Sequence, residues 1–111
     1  MTRIPTPAAI ALLALPALYG AAPALAAEAQ DATALRARNQ AAACTNCHGP
    51  EGRAPAGSPI PGLAGRPRSQ LVAQMQAFKA GTRQATVMHQ IARGYSDEQI
   101  NAIVAWFAAV R

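Results

Sequence analysis

One pentapeptide constrains this chain more than any other feature: Cys44-Thr45-Asn46-Cys47-His48. Two cysteines three positions apart, followed at once by a histidine, form a C-x-x-C-H stretch, the attachment signature of c-type haem. The spacing has a chemical reason. Cysteines three apart reach the two vinyl groups on one porphyrin edge and form thioethers, and the next residue is carried under the iron as an axial ligand. A bare C-x-x-C also occurs in redox dithiols and as half of a zinc site. A zinc site wants two further ligands, and His48 and His89 are the only histidines in the chain. A redox dithiol of the thioredoxin kind wants a βαβ context, and no strand pattern is visible.

The segment before this stretch reads as an export signal. Arg3 gives a positive start, Ala8 to Leu18 an apolar run broken only by Pro16, and Ala24-Leu25-Ala26 an A-x-A cleavage site. The run is too short and too rich in alanine and proline for a membrane span, which takes about 20 apolar residues. The expected division is therefore residues 1–26 as a cleaved signal peptide and 27–111 as one domain, with no membrane span after cleavage. Export agrees with the pentapeptide, and the periplasm is the expected location of the mature chain. A domain of 85 residues has a marginal core by itself. A covalently held haem would give its side chains a large apolar plate to pack on. Both cysteines lie in the pentapeptide, so no structural disulfide is available.

The chain is basic, with a formal net charge of +5. Beyond Ala26 the cations are spread out: Arg36, Arg38, Arg53, Arg66, Arg68, Lys79, Arg83, Arg93 and Arg111. They form no dense run and no alternation with aromatics, which argues against nucleic acid. They suit either a solvated basic surface or steering toward an acidic face on a redox partner.

Periodicity gives helices only. A first helix is expected over about Asp31 to Ala43, with Asp31 as N-cap and Leu35 as its only large apolar residue. Gly49 to Gly65, dense in Gly and Pro, reads as an irregular loop along one haem edge. A second helix is expected from Pro67, at its first position, to Ala80. Leu71, Met75 and Phe78 lie on one face with Val72 beside them, and Gly81 stops it. A short turn over Met88 to Arg93 ends at Gly94. The last helix opens on Ser96 with Gln99 three residues on, a capping box. Ile100, Ile103, Val104 and Phe107 form its buried stripe. Trp106 widens the stripe toward the small residues of the first helix.

The iron then needs a sixth ligand or presents an open site. Met75 falls within an apolar stripe and reads as core. Met88, 40 residues beyond His48, is far enough along the chain to return across the other haem face. A thioether there would raise the potential and make an electron carrier. His89 is the remaining candidate, with a solvent-facing histidine as its ordinary reading.

Taken together, Cys44-Thr45-Asn46-Cys47-His48-Gly49, Pro61-Gly62-Leu63-Ala64-Gly65, Met88 and the helix from Ser96 to Phe107 resemble a class I c-type cytochrome over the whole mature domain. The resemblance implies an all-α fold of three main helices and loops wrapped around one covalent haem c, held by Cys44 and Cys47. It implies His48 and Met88 as iron ligands, a Pro61 carbonyl orienting His48 (Pro59 being the second choice), and Leu63 packed on the haem face. A narrower likeness is to cytochrome subunits of flavocytochrome c sulfide dehydrogenases. It rests on Phe78-Lys79-Ala80-Gly81, Ala85-Thr86-Val87-Met88 and Ile91-Ala92-Arg93-Gly94-Tyr95-Ser96. Some members carry two such domains, whereas this chain has a single C-x-x-C-H. The implied function is single-electron transfer, with an FAD-containing sulfide dehydrogenase subunit as donor. A free soluble carrier serving a terminal oxidase or another dehydrogenase is the alternative. A five-coordinate haem enzyme or gas sensor is a further one.

Overall fold

The structure is a computed structural model, and it describes residues 21–111. The charged start and apolar run of the expected signal peptide lie outside the described residues. Every regular element that is described is helical: α1 (Ala21–Ala42), α2 (Thr45–His48), a 3-10 turn (Pro50–Gly52), α3 (Arg68–Ala80), α4 (Met88–Arg93) and α5 (Asp97–Ala109). None of these helices is long and apolar enough to cross a membrane.

The core is the meeting place of α1, α3 and α5. Ala41, Leu71, Ile100, Ile103, Val104 and Phe107 form one buried cluster, with Val72, Met75, Leu63, Tyr95, Trp106 and Cys44 packed around it. The α5 stripe inferred from periodicity is the heart of this core, and Phe107 is 1% exposed. Its capping box is present in full: Ser96 Oγ accepts from the Gln99 amide at 3.2 Å, and the Ser96 amide donates to Gln99 Oε1 at 2.8 Å. Ala41 is completely buried because only a methyl-sized side chain lets α1 come this close to α5. Trp106 borders the shallow apolar groove between α1 and α5, beside Ala34 and Ala37.

Two helix starts differ from expectation. Asp31 is not an N-cap: among the described residues α1 already runs from Ala21, and Asp31 lies in its interior. From Ala24 to Ala43 the sequence holds no helix breaker and is rich in alanine, the best helix former, so the helix runs straight through Asp31. Leu35 stays 57% exposed on this helix. Pro67 is the N-cap of α3 and not its first helical residue; its ψ of 128° is extended. Gly81 ends α3 as expected. It takes a left-handed φ of 77°, while the amides of Gly81 and Thr82 bond back to the carbonyls of Phe78 and Ala77.

The expected turn over Met88 to Arg93 is a short helix, α4, packed on α3 through the fully buried Ala92. A polar node ties the end of α3 to the start of α5. Lys79 Nζ donates to Asp97 Oδ1 at 2.7 Å and to the Tyr95 carbonyl at 2.9 Å, and Gln76 Nε2 reaches the same Asp97 oxygen at 3.1 Å. These two donors and the Lys79 charge hold the Asp97 carboxyl below the usual carboxylate range.

Candidate haem site

The pentapeptide is wound as a single helical turn. Cys44 is its N-cap, and the amides of Cys47 and His48 both donate to the Cys44 carbonyl, at 3.3 and 3.0 Å. Thr45 Oγ1 bonds the Ala42 carbonyl at 2.7 Å, which fastens the turn to the last residue of α1. Residues three apart in a helical turn share a face, so one turn presents both thiols on one side. Cys47 is exposed and Cys44 half-buried. Burial pushes the Cys44 thiol up from its ordinary value. Among the described residues no group of three or more His, Cys, Asp or Glu side chains could hold a metal ion.

His48 ends this turn and is 8% exposed. Its Nδ1 lies 2.7 Å from the Pro61 carbonyl oxygen. A carbonyl can only accept, so Nδ1 carries the proton and Nε2 keeps its lone pair for a metal. The structure thus places Pro61, and not Pro59, against the ring.

The loop that delivers Pro61 is anchored from behind. The Gly52 carbonyl accepts from the amides of Leu63 and Ala64 at 2.7 and 3.1 Å, and the Gly65 amide donates to the Phe107 carbonyl at 2.9 Å. Gly52 has a φ of 78°, and a Cβ there would stand 2.7 Å from the Phe107 ring. The residue must therefore be glycine, a requirement set by a side chain 55 positions away and invisible to local pattern. Leu63 packs against the core cluster, as does Cys44.

The remaining ligand candidates separate. Met75 packs against the core from α3. Met88 and His89 open α4, both half-buried. Val87 and Ile91, one turn apart beside Met88, are 53% and 41% exposed. His89 departs from the solvent-facing expectation. Its Nδ1 is shut off from solvent with no hydrogen-bond partner. It shares a face with the buried Ala92, three residues on, which turns the ring inward.

The residues fit haem c. Two thiols on one face, an adjacent imidazole with its tautomer fixed and its second nitrogen open, and apolar side chains flanking a half-buried methionine form the donor set that this group uses.

An all-helical fold with a C-x-x-C-H turn locked to a proline carbonyl defines a small c-type cytochrome. Residues 36–110 match the family model for cytochrome c, and the chain belongs to that family. Its cofactor is covalent haem c, for which Cys44 and Cys47 are correctly spaced, and it is an electron-transfer protein. The chain is similar to a thiosulfate dehydrogenase electron acceptor from Thiomonas intermedia, 32% identical over 97% of this chain and 46% of that protein. It is also similar to the cytochrome subunit of sulfide dehydrogenase from Chlorobaculum tepidum, 36% identical over 58% of this chain and 56% of that protein. The solved structure of cytochrome c4 from Acidithiobacillus ferrooxidans matches with a TM-score of 0.58 and 34% identity, covering 61% of this chain and 38% of that one. The chain thus spans about half, or less, of these longer proteins.

Proposed function

We propose that this chain is an exported, periplasmic monohaem cytochrome that takes single electrons from a sulfur-oxidising dehydrogenase, an FAD-containing sulfide dehydrogenase subunit being the first partner to test. In this reading residues 1–26 are a cleaved signal peptide. Cys44 and Cys47 hold the haem, His48 and Met88 ligate the iron, and Leu63 packs on the haem. Haem c supplies a one-electron Fe(III)/Fe(II) couple. The protein's part is to keep both axial ligands in place in both states, so that little reorganises when charge changes. The His48–Pro61 bond carries this reading. It fixes the ring and raises the basicity of Nε2, as a second partner on a ligating histidine does. The sulfur chemistry would remain on the partner.

The names of the relatives support the choice of partner, since one is a sulfide dehydrogenase subunit and another a thiosulfate dehydrogenase electron acceptor. A second reading is a free soluble carrier serving a terminal oxidase or another dehydrogenase; it is compatible with the likeness to cytochrome c4, whose name carries no dehydrogenase.

The test is stopped-flow reduction of the oxidised holo-cytochrome by a sulfide-oxidising flavoprotein supplied with sulfide. Rapid reduction by that enzyme, with slow reduction by unrelated dehydrogenases, is expected. Equal rates with all donors would favour the free carrier. A high-spin optical spectrum that binds carbon monoxide readily would overturn the six-coordinate site itself.

A further inference from the structure

Two of the three basic side chains around the Met88 segment, Lys79 and Arg83, are already engaged. Lys79 is held by Asp97 and Tyr95, and the Arg83 guanidinium lies over the Phe78 ring at 4.7 Å. The concentrated positive charge is elsewhere. Arg38 from α1, Arg53 from the loop after the 3-10 turn, and Arg111 beyond α5 line one open cleft of about 470 Å³ together with Trp106, Val110 and Glu51. Arg38, Arg53 and Arg111 supply three guanidinium groups there, beside the Glu51 carboxylate. We propose that this cleft is a docking site for an acidic segment of a protein partner, with Trp106 as its apolar anchor. The proposal rests on the reading of the chain as a carrier that meets a protein partner.

Three observations carry it. First, the cleft is prearranged. Arg53 Nη1 is paired with Glu51 Oε2 at 3.0 Å and Nη2 donates to the Arg111 main-chain oxygen, which fixes the guanidinium and the Arg111 backbone at the cleft wall. Arg38 and Arg111 make no ion pair among the described residues, so their guanidinium groups are available for carboxylates, which arginine takes two N–H bonds at a time. Second, Glu51 is the only non-glycine among the described residues with a positive φ, 52°. Backbone strain of this kind persists where the surroundings impose it and gathers at functional positions. Here it aims the carboxylate that positions Arg53. Third, the residue types are those of an interface centre. Arginine and tryptophan carry a disproportionate share of binding energy in protein complexes. Trp106 is half-buried and braced edge-to-face on Phe107, with centroids 4.9 Å apart, so little side-chain freedom is lost on contact.

Trp106 is the single tryptophan of the chain, which makes its indole N–H a unique NMR reporter. The reduced holo-cytochrome is titrated with a short glutamate-only peptide, with inorganic phosphate, and with phosphatidylglycerol vesicles. The peptide should shift the Trp106 indole and the amides of Arg53 and Arg111. The R38E/R111E double variant should weaken it about tenfold or more, because the charges then oppose it. The R83E/R93E double variant, with the same change in net charge, should bind the peptide as the parent does. Unchanged haem spectra would show that both variants remain folded. The proposal falls if the indole does not move with the peptide or if R83E/R93E weakens it as much as R38E/R111E. It falls equally if phosphate at the same concentration reproduces the full shift, or if only the vesicles perturb these residues. Failure of the partner reading looks different. The parent cytochrome would then take no electrons from the sulfide-oxidising flavoprotein, while peptide binding and its loss in R38E/R111E would still stand and support the cleft.

Discussion

His48 and Pro61, thirteen residues apart, are joined by a 2.7 Å hydrogen bond from the imidazole Nδ1–H to the proline carbonyl. One short contact fixes the ring's tautomer and rotation and leaves the Nε2 lone pair free. It depends on a loop that has no regular structure beyond one 3-10 turn. The loop holds because it is pinned to α5 at Phe107, through Gly52 at one point and Gly65 at another.

Gly52→Ala should therefore act on the site from a distance. The new methyl would meet the Phe107 ring at 2.7 Å, in a backbone conformation (φ 78°) that alanine avoids. Overpacking of this kind costs about 1–3 kcal/mol, and the left-handed backbone roughly another 1–2 kcal/mol. The denaturation midpoint of the holo-protein should fall accordingly. The NMR resonance of the His48 Nδ1–H should shift or exchange faster. A parent-like midpoint and resonance would mean that the loop is not held through Gly52.

The cap of α5 makes a smaller and cleaner prediction. Ser96→Ala removes the oxygen that accepts from Gln99 and should cost about 1 kcal/mol of stability. Ser96→Gly should cost only a few tenths of that unit. Chemical denaturation of the two variants side by side checks the order.

Asp97 gives a pH dependence with a definite sign. Its carboxyl is held below the ordinary range, first by the Lys79 and Gln76 hydrogen bonds and then by the Lys79 charge. A group whose folded value is depressed adds stability above its unfolded pKa, about 3.9 for aspartate. That stability is lost as pH falls below this value and through the folded one. The contribution is modest, since the carboxylate is exposed. Asp97→Asn should flatten the acid limb of the stability curve below about pH 4 and leave its slope near neutrality unchanged. Thermal melts of both proteins across that range are the measurement. An unchanged acid limb would assign the proton uptake elsewhere.

What the sequence reveals and what it hides divide along contact range. The last helix was legible because its cap, first-turn acids and apolar stripe are all local, and each residue of the stripe is buried. The pentapeptide was legible because its chemistry is written in its spacing. The passage of α1 through Asp31 was not, since a residue type that favours N-caps also occurs inside an alanine-rich helix. Nor was the inward turn of His89, which is decided by the packing of α4 on α3, or the pairing of Lys79, which needs a residue 18 positions on. The cleft of Arg38, Arg53 and Arg111 brings together three cations that lie far apart in the chain.

The assignment of Met88 rests on discriminating three sulfur or nitrogen donors, and the structure sharpens that comparison. Met75 packs in the core from α3, so Met75→Leu, a near volume-conserving swap, should cost less than about 1.5 kcal/mol and leave the optical spectrum intact. Met88→Ala should abolish the sulfur–iron charge-transfer band of the oxidised protein. It should also lower the reduction potential, because a thioether ligand raises it, and let exogenous imidazole bind. His89→Ala separates the neighbour. If His89 is simply packed against α3, its removal should leave the band in place and change stability only. Loss of the band in His89→Ala, with its survival in Met88→Ala, would transfer the ligand role to the imidazole and give the haem two histidines in place of one histidine and one methionine.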